Sequence, residues 1–281
     1  MKLRFTKVNP VENMTIFILD SLAREKHLSV ANDLMNYNNL YAEQVGFIEE
    51  PMSIKGKSLN TLRLQMMGGE FCGNATRSLA AYMVYEDHPS INKINDQEYN
   101  VTLEVSGSQE LLNCLVRKTD KENIFNSRIS MPLAERITSV NINKIPAKRV
   151  DFQGISHFIV DSYKVHDKED FYSHIKRYME KEDYDAFGIM YYDGVKEFLQ
   201  PLVHVRMTNS KFWERSCASG TSAFAIAEAN RINKSLSLQV KQPGGILEVE
   251  VKLEDGHVKE VFLDGQVEIV AQGIVNIDAE S

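Results

Sequence analysis

The stretch CGNATRSLAA begins at Cys72, and a similar stretch, CASGTSAFAI, begins at Cys217. In both, the cysteine is followed by small or polar residues, then by a threonine, and then by an apolar run of helical length. The two cysteines lie 145 positions apart in a chain of 281 residues, so each half of the chain carries one copy. We therefore expect a duplicated fold that brings two thiols to one central site.

The residues after each cysteine indicate a buried helix. Residues 75–84 and 218–229 are apolar or small on nearly every side, which is typical of a helix surrounded by protein. Around them, alternating segments are separated by turn signals such as Pro243-Gly244-Gly245 and Glu254-Asp255-Gly256. The pattern predicts an α+β fold of two pseudo-symmetric domains, each a mostly antiparallel, barrel-like sheet around one central helix.

The chain has no low-complexity linker, so the domain limits come from the duplication itself. We expect an N-terminal half over residues 1–135 and a C-terminal half over residues 136–281. The last strand, near residues 272–281, is expected to pack back on the first half. Alternation of apolar and polar residues predicts separate strands over 257–263 and 265–271.

Composition excludes several classes of protein. The net charge is −7 and no basic cluster stands out, so we expect no nucleic-acid partner. No apolar run approaches the length of a membrane span and no basic amphipathic helix appears, so we expect no membrane association. The N-terminal residues lack the apolar core and cleavage site of a signal peptide, so a cytoplasmic location is expected.

The sequence predicts different roles for the three cysteines. Cys114 lies in the apolar segment ELLNCLV and is expected to be a small core residue. None of the three belongs to a CxxC motif, and an odd number in a cytoplasmic chain favours free thiols. The seven histidines show no pair with metal-ligand spacing, so no metal site is expected.

Cys72 and Cys217 carry the predicted chemistry because each stands at the start of a helix. A helix N-terminus offers unpaired N–H groups and a partial positive charge, which bind a carboxylate and lower the pKa of a cysteine placed there. Two such ends facing each other would hold one carboxylate with a thiol on either side. One thiol could then remove a proton from a carbon while the other returns one to the opposite face, with no cofactor.

Three further residues keep two interpretations each. His157 lies between apolar strand residues and either lines a pocket or is a satisfied core histidine. Glu70 and Glu214 lie just before their cysteines. Each of these carboxylates either contacts the substrate ammonium or a thiol, or is simply solvated in a loop.

At this point the chain resembles the cofactor-independent amino-acid racemases and epimerases typified by diaminopimelate epimerase. The resemblance covers nearly the whole chain and includes the opening FTK segment, EQV at residues 43–45, the two cysteine motifs and PGG at residues 243–245. It implies that Cys72 and Cys217 are the catalytic acid and base. Together with the helix N-termini it implies a substrate-binding set that comprises Asn13, Gln44, Gly73, Asn74, Ala218, Ser219 and Gly220.

The chain departs from that family at residues that, in the family, bind the far end of the substrate. Ile155 and Gly188 stand where the family has asparagines, Gln65-Met66 replaces its Asn-Ala-Asp-Gly region, and Met207-Thr208-Asn209 lies where its Glu-Arg pair would be. A pocket without those groups would leave a second ammonium and carboxylate unpaired, which costs several powers of ten in selectivity. Diaminopimelate is therefore not the expected substrate.

Within this family the chain is similar to the histidine racemases of staphylopine-type metallophore biosynthesis, notably over residues 66–77 and 212–223. The resemblance implies a PLP-independent isomerase that converts L-histidine to D-histidine for such a metallophore, and a homodimer, since the family commonly forms dimers. Two alternatives stay open. One is a racemase or epimerase of another amino acid, of the proline type, and the other is a redox-responsive binding protein with a dithiol.

Overall fold

The computed structural model describes residues 1–207 and 209–278. Thr208, within one of the segments compared above, and residues 279–281, the end of the expected last strand, lie outside the described residues. Over the described ranges the chain contains five α-helices. They are α1 (His27–Met35), α2 (Ile54–Ser58), α3 (Gly73–Tyr85), α4 (Lys168–Met179) and α5 (Ala218–Ile232).

The strands of the described chain follow one another in two groups. The first group is β1 (Lys2–Asn9), β2 (Thr15–Ile18), β3 (Gln44–Glu49), β4 (Arg63–Met66), β5 (Asn92–Lys93), β6 (Glu98–Val105), β7 (Leu112–Lys118) and β8 (Ile124–Ser130). The second group is β9 (Arg136–Ile142), β10 (Ile145–Phe152), β11 (Ile155–Asp161), β12 (Ala186–Asp193), β13 (Phe198–Val205), β14 (Ser210–Trp213), β15 (Leu236–Gln242), β16 (Gly245–Glu254) and β17 (His257–Asn276).

The chain forms two compact units. The first comprises residues 1–130 together with the chain from Asp264 onward, and the second is Met131–Leu263. The first unit is thus assembled from two separate parts of the sequence. β17 begins in the second unit and ends in the first.

The first unit is a closed ring of strands. β17 pairs with β1, and the pairing continues through β2, β3, β4, β6, β7 and β8, which pairs with β17 again. The short strand β5 pairs with β6, beside the ring. Helix α3 is buried from Gly73 to Val84 and packs against β6, β7 and β8. Helix α1 covers the outside of the sheet with Val30, Ala31 and Leu34.

The second unit repeats this plan. β9 to β13 pair in succession, β13 continues to β15, and β15 pairs with β16. Helix α5 is the buried central helix and packs against β10, β11, β12, β15 and β16. Helix α4 covers the outside with Phe171, Ile175 and Met179.

The duplication is visible in the parallel strand pairs. In the first unit, β2 and β3 are parallel and joined through α1, and β4 and β6 are parallel and joined through α3. In the second unit, β11 and β12 are joined through α4, and β13 and β15 through α5. Each unit therefore has one outer and one central crossover helix, which confirms the predicted pseudo-symmetric α+β fold.

The predicted division into two strands over residues 257–271 is wrong. Separate strands were expected over 257–263 and 265–271, but β17 runs without interruption from His257 to Asn276. Gly265 lies within the strand, and the carbonyl groups of Gly265 and Gln266 accept hydrogen bonds from a buried arginine. The tight turn before β17 is at Asp255-Gly256, where both residues have positive φ.

Candidate active site

Both predicted catalytic cysteines occupy the N-cap of a central helix. Cys72 has extended backbone dihedral angles, and its Sγ accepts the N–H of Ala75 at 3.4 Å. Cys217 has nearly the same conformation, and its Sγ accepts the N–H of Gly220 at 3.3 Å. Each sulfur therefore satisfies one of the N–H groups that a helix N-terminus leaves without a partner in the helix.

The threonine shared by the two motifs has the same structural role in both. Thr76 Oγ1 donates to the carbonyl of Cys72 at 2.7 Å, and Thr221 Oγ1 donates to the carbonyl of Cys217 at 2.6 Å. A nearby serine adds a second bond of this kind in each helix: Ser78, two positions after Thr76, donates to the carbonyl of Asn74, and Ser222, directly after Thr221, donates to that of Ala218. The sequence similarity between the two stretches therefore reflects the same helix start built twice.

In the first unit the predicted site residues converge. Gln44 Nε2 donates to Asn13 Oδ1 at 2.8 Å, and Asn74 Nδ2 donates to the same oxygen at 3.0 Å. The Sγ of Cys72 lies 3.1 Å from Gln44 Oε1. Asn13 and Asn74 are almost fully buried, so these side chains are held firmly. Gly73 is the first residue of α3 and is buried.

In the second unit, Cys217 is surrounded by polar groups from three elements. Its backbone N–H donates to Gln242 Oε1 at 2.9 Å, and Gln242 Nε2 donates to Thr221 Oγ1 at 2.8 Å. Ser219 Oγ lies 3.7 Å from Cys217 Sγ and 2.9 Å from His157 Nε2. Ala218, Ser219 and Gly220 thus form the first turn of α5, beside a serine–histidine pair.

His157 is fully buried, and burial lowers its pKa to about 3. The imidazole is therefore neutral at physiological pH. Its Nδ1 has no hydrogen-bond partner among the described residues, which favours the tautomer with hydrogen on Nε2, since an orphaned N–H is costlier than an orphaned lone pair. Gly188 leaves room for the ring, because a Cβ there would collide with Nδ1 and lie 2.8 Å from Cε1.

The thiol of Cys217 departs from the sequence expectation. Burial raises its pKa well above the usual value of 9.0, and the Glu214 carboxylate raises it further, while the Gly220 N–H and Ser219 lower it by less. The helix start thus lowers the pKa of Cys217 in the predicted direction, but loss of hydration outweighs it and the net shift is upward. Burial also raises the pKa of Cys114 to about 12, as expected for an inert core cysteine.

The structure thus brings together Asn13, Gln44, Cys72 and Asn74 in the first unit. In the second it brings together Cys217, Ser219 and His157, with Glu214 close enough to affect the Cys217 thiol. Glu70 is exposed as a residue, but local burial of its carboxyl raises its pKa, and its carbonyl accepts a hydrogen bond from Ser106 Oγ at 2.8 Å. Within the described ranges, no three His, Cys, Asp or Glu side chains are arranged to hold a metal ion.

Comparison with known proteins decides the family. The family model of the histidine racemase CntK N-terminal domain matches residues 2–276. The chain belongs to this family. It is therefore an amino-acid racemase, and so an isomerase, as the cysteine motifs predicted.

Relatives of this racemase cover nearly its whole length. The chain is 36% identical to a histidine racemase of Fusobacterium nucleatum over 280 residues, which covers 98% of this chain and 97% of that protein. It is 30% identical to a histidine racemase of Staphylococcus aureus over 286 residues, with 98% of both proteins covered.

Solved structures share the racemase fold at low sequence identity. A probable proline racemase of Agrobacterium radiobacter superposes with a TM-score of 0.69 at 11% identity, covering 99% of this chain and 93% of that one. A hydroxyproline epimerase of Agrobacterium vitis superposes with a TM-score of 0.70 at 10% identity, covering 99% and 93% respectively.

Sequence reasoning missed one side chain beside Cys217, that of Gln242, and one contact, that of His157 with Ser219. Gln242 immediately precedes the PGG turn that was noticed, and its side chain supports the helix start at Cys217. The partnership of His157 with Ser219 links residues 62 positions apart, so only the tertiary fold reveals it. In the part of the chain that the structure describes, no helix has the length and apolar character needed to cross a membrane.

Proposed function

We propose that this racemase interconverts L-histidine and D-histidine without a cofactor, with the thiols of Cys72 and Cys217 exchanging the α-proton. The observation that carries the proposal is the placement of each thiol at the first turn of a buried central helix, its sulfur accepting a backbone N–H. The relatives that match almost the whole chain are named histidine racemases, which supports histidine as the substrate.

In the proposed reaction, a thiolate removes the α-proton and becomes a thiol. The other thiol delivers its own proton to the opposite face and becomes a thiolate, so the carbon is inverted and the number of protons is conserved. Because burial and the Glu214 carboxylate raise the pKa of Cys217, we assign it as the proton donor and Cys72 as the base in the first turnover. The two thiols then titrate as a coupled pair.

The substrate carboxylate is proposed to bind the N–H groups at the two helix starts. These groups belong to Gly73 and Asn74 of α3 and to Ala218, Ser219 and Gly220 of α5. Helix N-termini favour negative charge, and they also stabilise the charge that develops when the α-proton leaves. Asn13, Gln44 and the side chain of Asn74 are proposed to position the ammonium and carboxylate groups.

The decisive experiment measures deuterium incorporation at Cα of histidine in D₂O. Each of Cys72→Ser and Cys217→Ser should lower the racemisation rate by about 10²- to 10⁴-fold, the range expected for loss of a general acid or base. Cys114→Ser is the matched control and should retain the wild-type rate. Undiminished racemisation by both active-site variants would contradict the mechanism.

The choice of substrate needs its own test. L-histidine should be racemised faster than any other member of a panel that includes proline, hydroxyproline and diaminopimelate, with products separated by chiral chromatography. Activity should survive treatment with a carbonyl reagent that inactivates PLP enzymes. Preferential turnover of proline or hydroxyproline would favour the alternative that the sequence left open.

The redox alternative predicts a different thiol behaviour. A racemase of this kind requires both thiols free, so thiol titration should find them reduced in the active enzyme. If oxidation forms a disulfide between Cys72 and Cys217, reductant should restore racemisation. A dithiol binding protein would instead show no racemisation in either redox state.

Three finer expectations remain proposals. We place the enzyme in the cytoplasm, expect a homodimer, and expect its D-histidine to enter a staphylopine-like metallophore. Cell fractionation, light scattering of the purified protein, and mass spectrometry of secreted metal-binding products from a deletion strain would test them in turn.

A further inference from the structure

A continuous set of hydrogen bonds connects the buried Arg77 with the thiol of Cys72. Arg77 Nε donates to Asn74 Oδ1 at 3.2 Å, and Asn74 Nδ2 donates to Asn13 Oδ1 at 3.0 Å. Gln44 Nε2 donates to the same Asn13 oxygen at 2.8 Å, and Gln44 Oε1 faces Cys72 Sγ at 3.1 Å. Three amide side chains therefore lie between the guanidinium and the sulfur.

The guanidinium, at one end of this set, favours one orientation of each amide. Arg77 has only donors, so the atom of Asn74 that faces it must be the oxygen. The nitrogen of Asn74 then faces Asn13, which must offer its oxygen in return. The same oxygen receives the nitrogen of Gln44, and Gln44 is left with its oxygen directed at Cys72.

Hydrogen bonds of Asn13 and Gln44 with Glu43 and Thr15 favour the same orientation of the amides independently. Asn13 Nδ2 donates to Glu43 Oε2 at 2.5 Å, and a carboxylate can only accept. Thr15 donates its hydroxyl hydrogen to the carbonyl of Asn13 at 3.0 Å, so its oxygen is free to accept from Gln44 Nε2 at 2.8 Å. Both ends therefore favour a single orientation of the three amides.

Arg77 is an unusual residue for the middle of a buried helix. Its side chain is fully buried, and its Nη1 donates to the carbonyls of Gly265 and Gln266 at 2.9 Å each. Its Nη2 has no hydrogen-bond partner among the described residues. Burial lowers its pKa to about 10, so the group stays cationic at neutral pH. An apolar side chain would occupy this place at lower cost in solvation.

We propose that Arg77 is a positioning residue that orients Asn74, Asn13 and Gln44 so that Gln44 Oε1 is offered as an acceptor to the substrate ammonium. The inference rests on the proposed function, which places these amides against the amino acid. The opposite orientation would present an N–H group at the same place and repel the ammonium.

The test compares two ligands that differ by the ammonium group alone. They are L-histidine and 3-(imidazol-4-yl)propanoate, which keeps the carboxylate and the ring. Arg77→Met should raise KM for L-histidine about 10- to 100-fold, the effect of losing a hydrogen bond to a charged group, while the inhibition constant of the deaminated ligand changes less than about threefold. Arg77→Lys keeps a donor-only group and should restore most of the affinity for histidine.

If Arg77→Met does not fold, Arg77→Gln provides the same comparison, because its amide both donates and accepts and cannot impose an orientation. Equal weakening of both ligands in the variants would overturn the inference and leave Arg77 a purely structural residue. Failure of the wild type to racemise histidine would instead contradict the proposed substrate. The comparison would then use the amino acid that is processed and its own deaminated analogue.

Discussion

A buried neutral histidine makes the stability of the second unit depend on pH. The pKa of His157 is lowered from 6.5 to about 3, so the unfolded chain binds a proton below pH 6.5 that the folded chain does not bind. The contribution of neutral His157 to the free energy of unfolding is complete above pH 6.5 and is lost as the pH falls towards 3. The free energy of unfolding should therefore fall by up to about 1.4 kcal/mol per pH unit in this window.

The variant His157→Gln isolates this contribution, because glutamine is neutral throughout. Urea unfolding of wild type and variant at several pH values between 4 and 7 gives the free energy of unfolding of each. The slopes of these free energies against pH are then compared. We expect the variant to be less stable at pH 7 but to lose less stability on acidification. Parallel pH dependences would show that His157 is not the group responsible.

Gly188 is predicted to be intolerant of a side chain. A Cβ there would collide with His157 Nδ1 and approach Met190 Cε at 2.9 Å, so Gly188→Ala must displace one of them. We expect a loss of about 1–3 kcal/mol in the free energy of unfolding, as for other overpacked cores. Gly194→Ala is the control, since its Cβ would lie 3.7 Å from the nearest atom, in ordinary contact with Tyr192. Equal stability of the two variants would contradict the prediction.

At the scale of elements, the two helix starts are equivalent in geometry but differ in their support. Thr76 makes its hydrogen bond to the Cys72 carbonyl, whereas Thr221 bonds the Cys217 carbonyl and also accepts from Gln242. Both threonines are fully buried. Removal of the Thr221 hydroxyl therefore affects two hydrogen bonds.

We expect Thr76→Val to lower the free energy of unfolding by about 0.5–1.5 kcal/mol, the value of one hydrogen bond. Thr221→Val should cost about 1–3 kcal/mol more, because it leaves Gln242 Nε2 buried without this partner. Valine has nearly the same shape, so packing is preserved in both. Equal losses for the two variants in urea unfolding would show that Gln242 finds another partner.

At the scale of the whole molecule, the first unit depends on a strand that comes last in the chain. The part of β17 after Leu263 pairs with β1 and β8, and it supplies both carbonyl acceptors of Arg77. A chain that ends at Leu263 should therefore lose hydrogen-exchange protection in β1 and β8. A peptide of residues 264–278 added in trans should restore part of it. Retained protection in the truncated chain would contradict this dependence.

Much of the site could be predicted because its signals are local. Each cysteine, with the small residues and apolar helix after it, lies in one short stretch that determines its own structure. In the structure, each cysteine is the N-cap of its helix. The partners of those cysteines could not be predicted in the same way. Gln242 and His157 come from strands distant in sequence, and their contacts depend on sheet pairing that no local pattern specifies.

The sequence by itself determined the duplication, the two central helices and the class of reaction, because side-chain size and periodicity act over a few residues. Only the tertiary structure decided the environment of each thiol. Burial raises the pKa of Cys217 against the effect of its helix end, and Arg77 orients the amides beside Cys72 through contacts with Asn74 and with β17. Desolvation and hydrogen-bond direction depend on what surrounds a group in space, and distant parts of the chain supply those surroundings.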